Sequence, residues 1–221
     1  DAFIYLRNNK REVRSLIADA LLHRVQDLDE SVQDLARQMI EEVWMSPFYQ
    51  STTSENTSAQ YKLAMSDHVA LMVKTVQRGS GVAAVLDKVL QNMLSADAKL
   101  SAANFRVCKA LVATMFETII DNPAGESSDA PSARDALQIL TIFAKSNADL
   151  FTAEQVQLLQ PYVANVGGND DLQIYRSVIV IFRHVLSHLS KAHNNFLAAI
   201  RKELLPAVAR VGKSILDDVI A

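Results

Sequence analysis

Residues 23–36, His23-Arg24-Val25-Gln26-Asp27-Leu28-Asp29-Glu30-Ser31-Val32-Gln33-Asp34-Leu35-Ala36, decide the fold together with Trp44-Met45-Ser46-Pro47. Apolar residues on both sides of the acidic turn follow the i, i+3, i+4, i+7 spacing of an amphipathic helix. They are Val13, Leu16, Ile17, Ala20, Leu21 and Val25 before the turn, and Val32, Leu35, Ala36, Met39, Ile40, Val43 and Trp44 after it. The pattern therefore predicts two helices that pack antiparallel across a tight turn.

A hairpin with an acid-rich turn and a Val-x-x-x-Ala start to its second helix is typical of a HEAT repeat. Few glycines and prolines, and an apolar fraction of 49%, favour a nearly all-helical chain. We predict an all-α HEAT-repeat α-solenoid of about ten helices, stacked as antiparallel hairpins over residues 1–221. The predicted helices are 10–26, 30–45, 59–78, 81–95, 101–121, 132–147, 152–165, 169–190, 193–211 and 213–221.

Two connections are longer than a helical hairpin requires. Residues 46–58 are rich in serine and threonine, and residues 121–132 carry prolines, a glycine and acids. Neither stretch has enough apolar surface to offset the entropy of ordering it, so we expect mobile loops near 46–58 and 121–132. Both ends of the chain lie in apolar helical patterns without the polar caps of natural solenoids, so we expect a fragment truncated at both ends.

Motifs for catalysis or cofactor binding fail in their context. Gly212-Lys213-Ser214 resembles the end of a phosphate-binding loop, but Ala207 stands where that loop needs a glycine. His184 and His188 share a helix face without the glutamate of a zinc protease, so we interpret them as ordinary histidines. We therefore expect no enzyme activity, no metal, no cofactor and no small-molecule substrate.

Single residues and composition limit the remaining function classes. The lone Cys108 lies in an apolar helical row, so we interpret it as a buried thiol, and a disulfide framework is excluded. Trp44 continues the apolar row of Ile40 and Val43, which favours core packing over a partner anchor. No apolar run is long enough to span a bilayer, so we expect no membrane association and an intracellular protein. The net charge of −3 is unremarkable.

The ordered set of motifs resembles the HEAT region of the Nipped-B or adherin family, the large subunit of the cohesin loader. The resemblance covers nearly the whole chain, with gaps at the two predicted loops, and suggests a fungal source. It is carried by His-Arg-Val-x-Asp and Trp-x-Ser-Pro within 23–47, Leu159-Gln160-Pro161-Tyr162, the apolar helix 172–189, Asn195-Phe196-Leu197-Ala198-Ala199-Ile200 and Glu203-Leu204-Leu205.

This resemblance implies a nuclear scaffold from the C-terminal half of the loader. Such a protein loads cohesin onto chromatin with a smaller partner subunit, contacts the kleisin and ATPase-head subunits and duplex DNA, and stimulates the cohesin ATPase. The alternative is a HEAT or armadillo scaffold unrelated to chromosomes, such as a transport receptor or a phosphatase scaffold, which binds only proteins.

Two basic groups are the candidate contacts with DNA or a partner. Cations on a solenoid edge can bind phosphates in a salt-dependent, sequence-independent way. The same residues also fit an ordinary solvated helix face, and no interleaved aromatic residue favours base stacking. The first group is Lys10, Arg11 and Arg14, and the second is Arg201, Lys202, Arg210 and Lys213.

Overall fold

The computed structural model describes residues 10–49, 59–79, 81–121, 131–164 and 169–189, and individual residues between 198 and 213. Within these residues the chain forms α-helices and two 3₁₀ turns, with no strand, and the described residues between 198 and 213 are helical. The all-α HEAT-type fold predicted from the sequence is confirmed. The chain divides into two compact units, Asp1–Leu150 and Phe151–Ala221.

The first unit contains three successive pairs of helices. The helices are α1 (Arg11–Arg24), α2 (Glu30–Trp44), α3 (Ala59–Gln77), α4 (Val82–Met93), α5 (Ser101–Asp121) and α6 (Ala133–Ser146), with 3₁₀ turns at Ser46–Phe48 and Ala148–Leu150. Helices α1, α3 and α5 pack one against the next, and α6 packs against both α4 and α5. This stacking of antiparallel pairs is the arrangement that a HEAT array requires.

The second unit begins with α7 (Ala153–Leu158) and α8 (Pro161–Ala164), followed by α9 (Asn169–Leu189). The sequence predicts one helix over 152–165, and the structure divides it at Pro161. Proline has no backbone N–H and tolerates the first position of a helix, so it begins a new helix there. Helix α9 packs against α7 and α8.

Local hydrogen bonds explain where the helices begin. The Asp29 carboxylate accepts the backbone N–H of Ser31 at 2.8 Å and caps α2. Ser132 with Asp135, and Thr152 with Gln155, form reciprocal capping boxes at the starts of α6 and α7. Gly81 precedes α4 with φ of 96°, a left-handed conformation that suits glycine. The acidic turn between α1 and α2 is therefore both a connection and a helix cap.

Helix α3 is enclosed on nearly all sides. From His68 to Val76 every residue except Lys74 is buried, because α1, α5 and α6 all pack against this helix. The run 177–182 in α9 is also apolar nearly all round, a pattern that predicts cover on more than one side of the helix. There Val178, Ile181 and Phe182 are buried and Ile179 and Val180 are half-exposed, so one side of this run is only partly covered.

The buried face of α1 differs from the predicted apolar row. Ser15, Ala18 and Leu22 are buried, whereas Leu16 is 47% exposed. Ser15 and Ala18 are small, so α1 can pack against α3 at these positions. Ion pairs between the two helices form on either side of them, and larger apolar residues such as Leu16 face outwards. In α2, Ala36, Ile40 and Trp44 are buried as predicted, but Leu35 is 58% exposed.

The predicted loop at 46–58 is ordered at its start. Pro47 lies in the 3₁₀ turn Ser46–Phe48, and Phe48 is buried with its ring 5.9 Å from that of Tyr61. Phe48 packs on α3 and supplies apolar surface at this end of the loop. The loop as a whole is poor in such surface. Most of the two predicted loops, residues 50–58 and 122–130, lies outside the described residues.

Candidate binding surfaces

The first predicted basic group lies at the start of α1. The guanidinium of Arg11 contacts Asp67 Oδ1 through Nη2 at 2.9 Å and Nε at 3.1 Å, and Arg14 Nη2 pairs with Oδ2 of the same carboxylate. Burial raises the pKa of Asp67, but the two arginine hydrogen bonds outweigh it and hold the pKa below its usual value. Arg11 and Arg14 therefore join α1 to α3, and Lys10 is exposed beside them.

A second ion cluster joins the same two helices with the charges reversed. Glu12 of α1 pairs with Lys74 and Arg78, and Arg78 Nη1 also donates to Ser15 Oγ at 3.3 Å. Hydrogen bonds from Lys74 and then Arg78 lower the pKa of Glu12. Two arginines of α1 pair with one acid of α3, and one glutamate of α1 pairs with two cations at the end of α3. These pairs favour one register between α1 and α3. The sequence reasoning missed this cluster because its members are about sixty residues apart.

The second predicted basic group lies in the second unit. Arg201, Lys202, Arg210 and Lys213 are each helical and exposed, and Ile200 beside them is buried. On one continuous helix at about 100° per residue, positions 202, 210 and 213 would fall within an arc of about 80°, and position 201 would lie about 100° from 202, outside that arc. The structure therefore gives this group the exposure that a phosphate contact needs, and none of its members forms an ion pair with another described residue.

A groove in the first unit was not predicted. It has a volume of about 480 Å³ and lies between α2 and α4, next to the end of α1. Its lining is mostly polar, with Val25 and Val85 as the apolar members. The remaining lining residues are Gln26, Gln33, Arg37, Lys88, Gln91 and Asn92. No sequence motif could reveal it, because residues distant in the chain meet only once the helices have packed.

A buried polar network braces the helices near this groove. Tyr49 donates its hydroxyl to Asn104 Oδ1 at 2.7 Å, and Asn104 Nδ2 donates to Glu41 Oε1 at 2.6 Å and to the Met93 carbonyl at 3.2 Å. Asn104 is fully buried. Burial and then the nearby Glu41 carboxylate raise the pKa of Tyr49. One asparagine thus connects α2, the end of α4 and α5.

The residues considered for catalysis or anchoring occupy ordinary structural positions. Trp44 is 1% exposed and packs edge-on against His68, which confirms its core assignment. Cys108 is buried, as predicted, and burial raises the pKa of its thiol to about 12, so it is not a nucleophile at neutral pH. His184 is half-exposed and His188 exposed on α9, and Gly212-Lys213 is helical.

Neither a metal site nor a membrane span is found in the part of the chain that the structure describes. No group of three or more His, Cys, Asp or Glu side chains there could hold a metal ion. None of the described helices is both long and apolar enough to cross a bilayer. The surfaces described above present charged and hydrogen-bonding side chains for binding.

Comparison with known proteins gives two relatives, and no protein-family model matches the chain. A solved structure, the C-terminal fragment of the cohesin loader SCC2 from Chaetomium thermophilum, is 52% identical with a TM-score of 0.79 and covers 99% of this chain. The sister chromatid cohesion protein mis4 of Schizosaccharomyces pombe is 20% identical over 98% of this chain.

The chain spans only part of each relative, 15% of the SCC2 chain and 14% of mis4. Within that part the match runs almost from end to end, and it agrees with the helical pairs described above. Both relatives are fungal, as the sequence resemblance suggested. The chain belongs to the Nipped-B or adherin family of cohesin loaders, as a segment of its large HEAT-repeat subunit.

Proposed function

We propose that this chain is a non-catalytic binding segment of a cohesin loader and takes part in loading cohesin onto chromatin in the nucleus. The observation that carries the proposal is the 52% identity to a cohesin loader over 99% of the chain. The names of both relatives refer to cohesin or to sister chromatid cohesion. They favour this function over a scaffold unrelated to chromosomes.

We propose further that the exposed group Arg201, Lys202, Arg210 and Lys213 contacts duplex DNA. The exposure of all four residues, and the helical arc shared by positions 202, 210 and 213, support this assignment. The N-terminal group supports it less well, because Arg11 and Arg14 already share the carboxylate of Asp67. We therefore assign the phosphate contacts chiefly to the C-terminal group, with Lys10 as the exposed member of the other.

The test is binding of a fluorescent DNA duplex of about 20 base pairs across a series of salt concentrations. The variant is the triple reversal Lys202→Glu, Arg210→Glu and Lys213→Glu. Each lost phosphate contact lowers the slope of log affinity against log salt by about 0.9. We therefore expect the slope to fall by about 3 and binding at low salt to weaken strongly.

A matched control keeps the same change in net charge. Lys62, Lys99 and Lys109 are exposed cations of the first unit, and no ion pair with them is seen in the described part of the chain. Reversing all three should leave most of the binding intact. An equal loss of affinity in the two triple variants would show that the effect comes from net charge alone. Absence of binding at low salt would contradict the proposed DNA contact.

The partners proposed for the intact loader are cohesin, through its kleisin and ATPase-head subunits, and the smaller loader subunit. They follow from the family membership of the chain. Contact with cohesin can be tested by capturing purified cohesin on the immobilised chain. Stimulation of the cohesin ATPase is tested by adding the intact loader, with and without this segment, to cohesin and DNA.

A further inference from the structure

The groove between α2 and α4 is a gap in an otherwise packed row of helices. Helix α4 packs directly against α6, whereas α2 and α4 face each other across this open space of about 480 Å³. Val25 and Val85, each 6% exposed, provide its small apolar surface. A polar groove of this size between neighbouring repeats is large enough for several side chains of a bound segment.

The charge of the groove is positive. Arg37 and Lys88 line it, and none of its lining residues is acidic. The acids next to lining residues in sequence already have partners. Asp27 Oδ2 accepts from Arg24 Nη1 at 2.9 Å, Asp34 accepts from Arg37 Nη1 at 2.8 Å, and Asp87 Oδ1 accepts from Ser146 Oγ at 2.9 Å and from Gln91 Nε2 at 3.1 Å. The groove is therefore suited to a ligand that carries negative charge.

Both cations retain capacity to bind a ligand. Arg37 is held in place by Asp34 and by Gln33 Oε1, which accepts from Nη2 at 3.0 Å, and 35% of its side chain remains exposed. Lys88 is exposed, and neither an ion pair nor a hydrogen bond holds its ammonium within the described residues. A pre-positioned guanidinium beside an unengaged ammonium is the arrangement that recognises carboxylates.

The carboxamides of the groove select the class of ligand. Gln26, Gln91 and Asn92 are exposed there, and each carboxamide offers both a donor and an acceptor. A peptide backbone also presents donors and acceptors along its length, so it can satisfy both. A phosphodiester backbone presents acceptors only and would leave the carboxamide oxygens unpaired. The lining also contains two cations and no aromatic residue, which is a poor match to a nucleic acid.

We propose that this groove binds an extended acidic peptide segment of a partner protein. The carboxylates of the segment pair with Arg37 and Lys88, its backbone bonds to the carboxamides, and small apolar groups contact Val25 and Val85. Helix α4 has 12 residues and is about 18 Å long, the span of about six extended residues. The proposal does not depend on the DNA contact proposed above, which uses other residues in the other unit.

The test measures fluorescence anisotropy of labelled peptides with the intact chain. The probes are peptides of about ten residues in which glutamates alternate with glycine, serine or valine, long enough to exceed the span of α4. A matched set carries glutamine in place of every glutamate. We expect the acidic set to bind and the glutamine set to bind at least about tenfold more weakly, which corresponds to about 1.4 kcal/mol.

Three variants assign the binding to the groove. Lys88→Glu should weaken the acidic peptides at least about tenfold, since it replaces attraction by repulsion. The double variant Gln26→Ala and Asn92→Ala leaves the charge unchanged and should weaken them several-fold if the backbone is recognised. The control Lys109→Glu makes the same charge change at an exposed site on α5 and should have little effect.

Several results would overturn the proposal. They are absence of binding by every acidic peptide, equal binding of the glutamine set, or an equal loss from Lys88→Glu and Lys109→Glu. A duplex that binds in the groove, weakened by Lys88→Glu while the peptides do not bind, would assign it to nucleic acid. Circular dichroism of each variant tests whether the fold is retained. We expect Lys88→Glu to retain it, because the Lys88 side chain holds no other described residue in place.

Discussion

His68 is a buried base in the middle of the most enclosed helix. It lies between the rings of Trp44 and Phe48, and its Nε2 has no hydrogen-bond partner. Burial, and then the positive charge of Arg14, lower its pKa from 6.5 to about 4, although Asp67 acts in the opposite direction. The folded chain therefore holds this imidazole neutral at neutral pH.

This residue makes the stability of the fold depend on pH. The unfolded chain takes up the proton near pH 6.5 and the folded chain only near pH 4, so stability is full above about 6.5 and falls between these values. The difference corresponds to roughly 3 kcal/mol at the acid end. Urea unfolding between neutral pH and pH 5 should show part of this loss, and His68→Leu should flatten the curve.

The carboxylates provide the internal check on that window. The pKa values of Asp67 and Glu12 are lowered from 3.8 and 4.5, so both stay charged while the upper part of the histidine window is crossed. Their contribution to stability is lost only at more acid pH. A His68→Leu chain with the same pH dependence as the parent between neutral pH and pH 5 would contradict the assignment.

The Tyr49 hydroxyl contributes to stability through its hydrogen bond to the buried Asn104. Tyr49→Phe removes the donor and leaves Asn104 Oδ1 buried without that partner. We expect a loss of about 1–2 kcal/mol in the free energy of unfolding, measured in urea. Tyr162→Phe is the matched control, because Tyr162 is also half-buried but shows no hydroxyl bond within the described residues. Equal effects of the two substitutions would contradict this role.

At the scale of the element, ion pairs hold α1 on α3. Asp67→Asn removes the charge that Arg11 and Arg14 share, and all three side chains are partly exposed. Water screens such pairs, so we expect a loss of about 1 kcal/mol or less. The comparison is with Asp97→Asn, an exposed acid outside the cluster, by thermal unfolding at low and high salt. The difference should shrink in high salt.

The N-terminal cations can serve either to hold α1 on α3 or to contact the phosphates of DNA, and substituting Arg11 and Arg14 distinguishes these two roles. If Arg11 and Arg14 serve chiefly to hold α1, then Arg11→Gln with Arg14→Gln should lower the stability of the chain but leave the salt dependence of duplex binding nearly unchanged. A fall in the slope of about 2 would instead show that both guanidiniums contact phosphates. Stability and duplex binding are therefore measured on the same variant.

The helices were predictable from the sequence because local periodicity and caps determine them. The acidic turn at 27–30, the caps at Asp29 and Ser132, and the break at Pro161 depend on neighbouring residues. The choice of buried face was harder. In α1 the buried face also accommodates ion pairs with Asp67 of α3, more than fifty positions away, and periodicity carries no information about them.

At the scale of the whole molecule, an ordered set of local patterns predicted the family, whereas the surfaces needed the structure. The exposed cations at 201, 202, 210 and 213 could be proposed from the sequence alone, because they lie close together in it. The groove could not be proposed, because Arg37 and Lys88 come together only when two repeats stack without closing the space between them. Binding sites on stacked repeats are often of this second kind.

The intact loader provides the last prediction. This chain spans about 15% of the related loader, so it supplies only a part of any DNA contact. We expect Lys202→Glu, Arg210→Glu and Lys213→Glu, placed in the intact protein, to slow loading of purified cohesin onto DNA several-fold. The defect should be largest at low salt and shrink as salt rises, because salt weakens the parent, which makes more phosphate contacts, more steeply than the variant. The Lys62, Lys99 and Lys109 reversals should leave loading near the parent rate, and equal rates in the two triple variants would contradict the assignment.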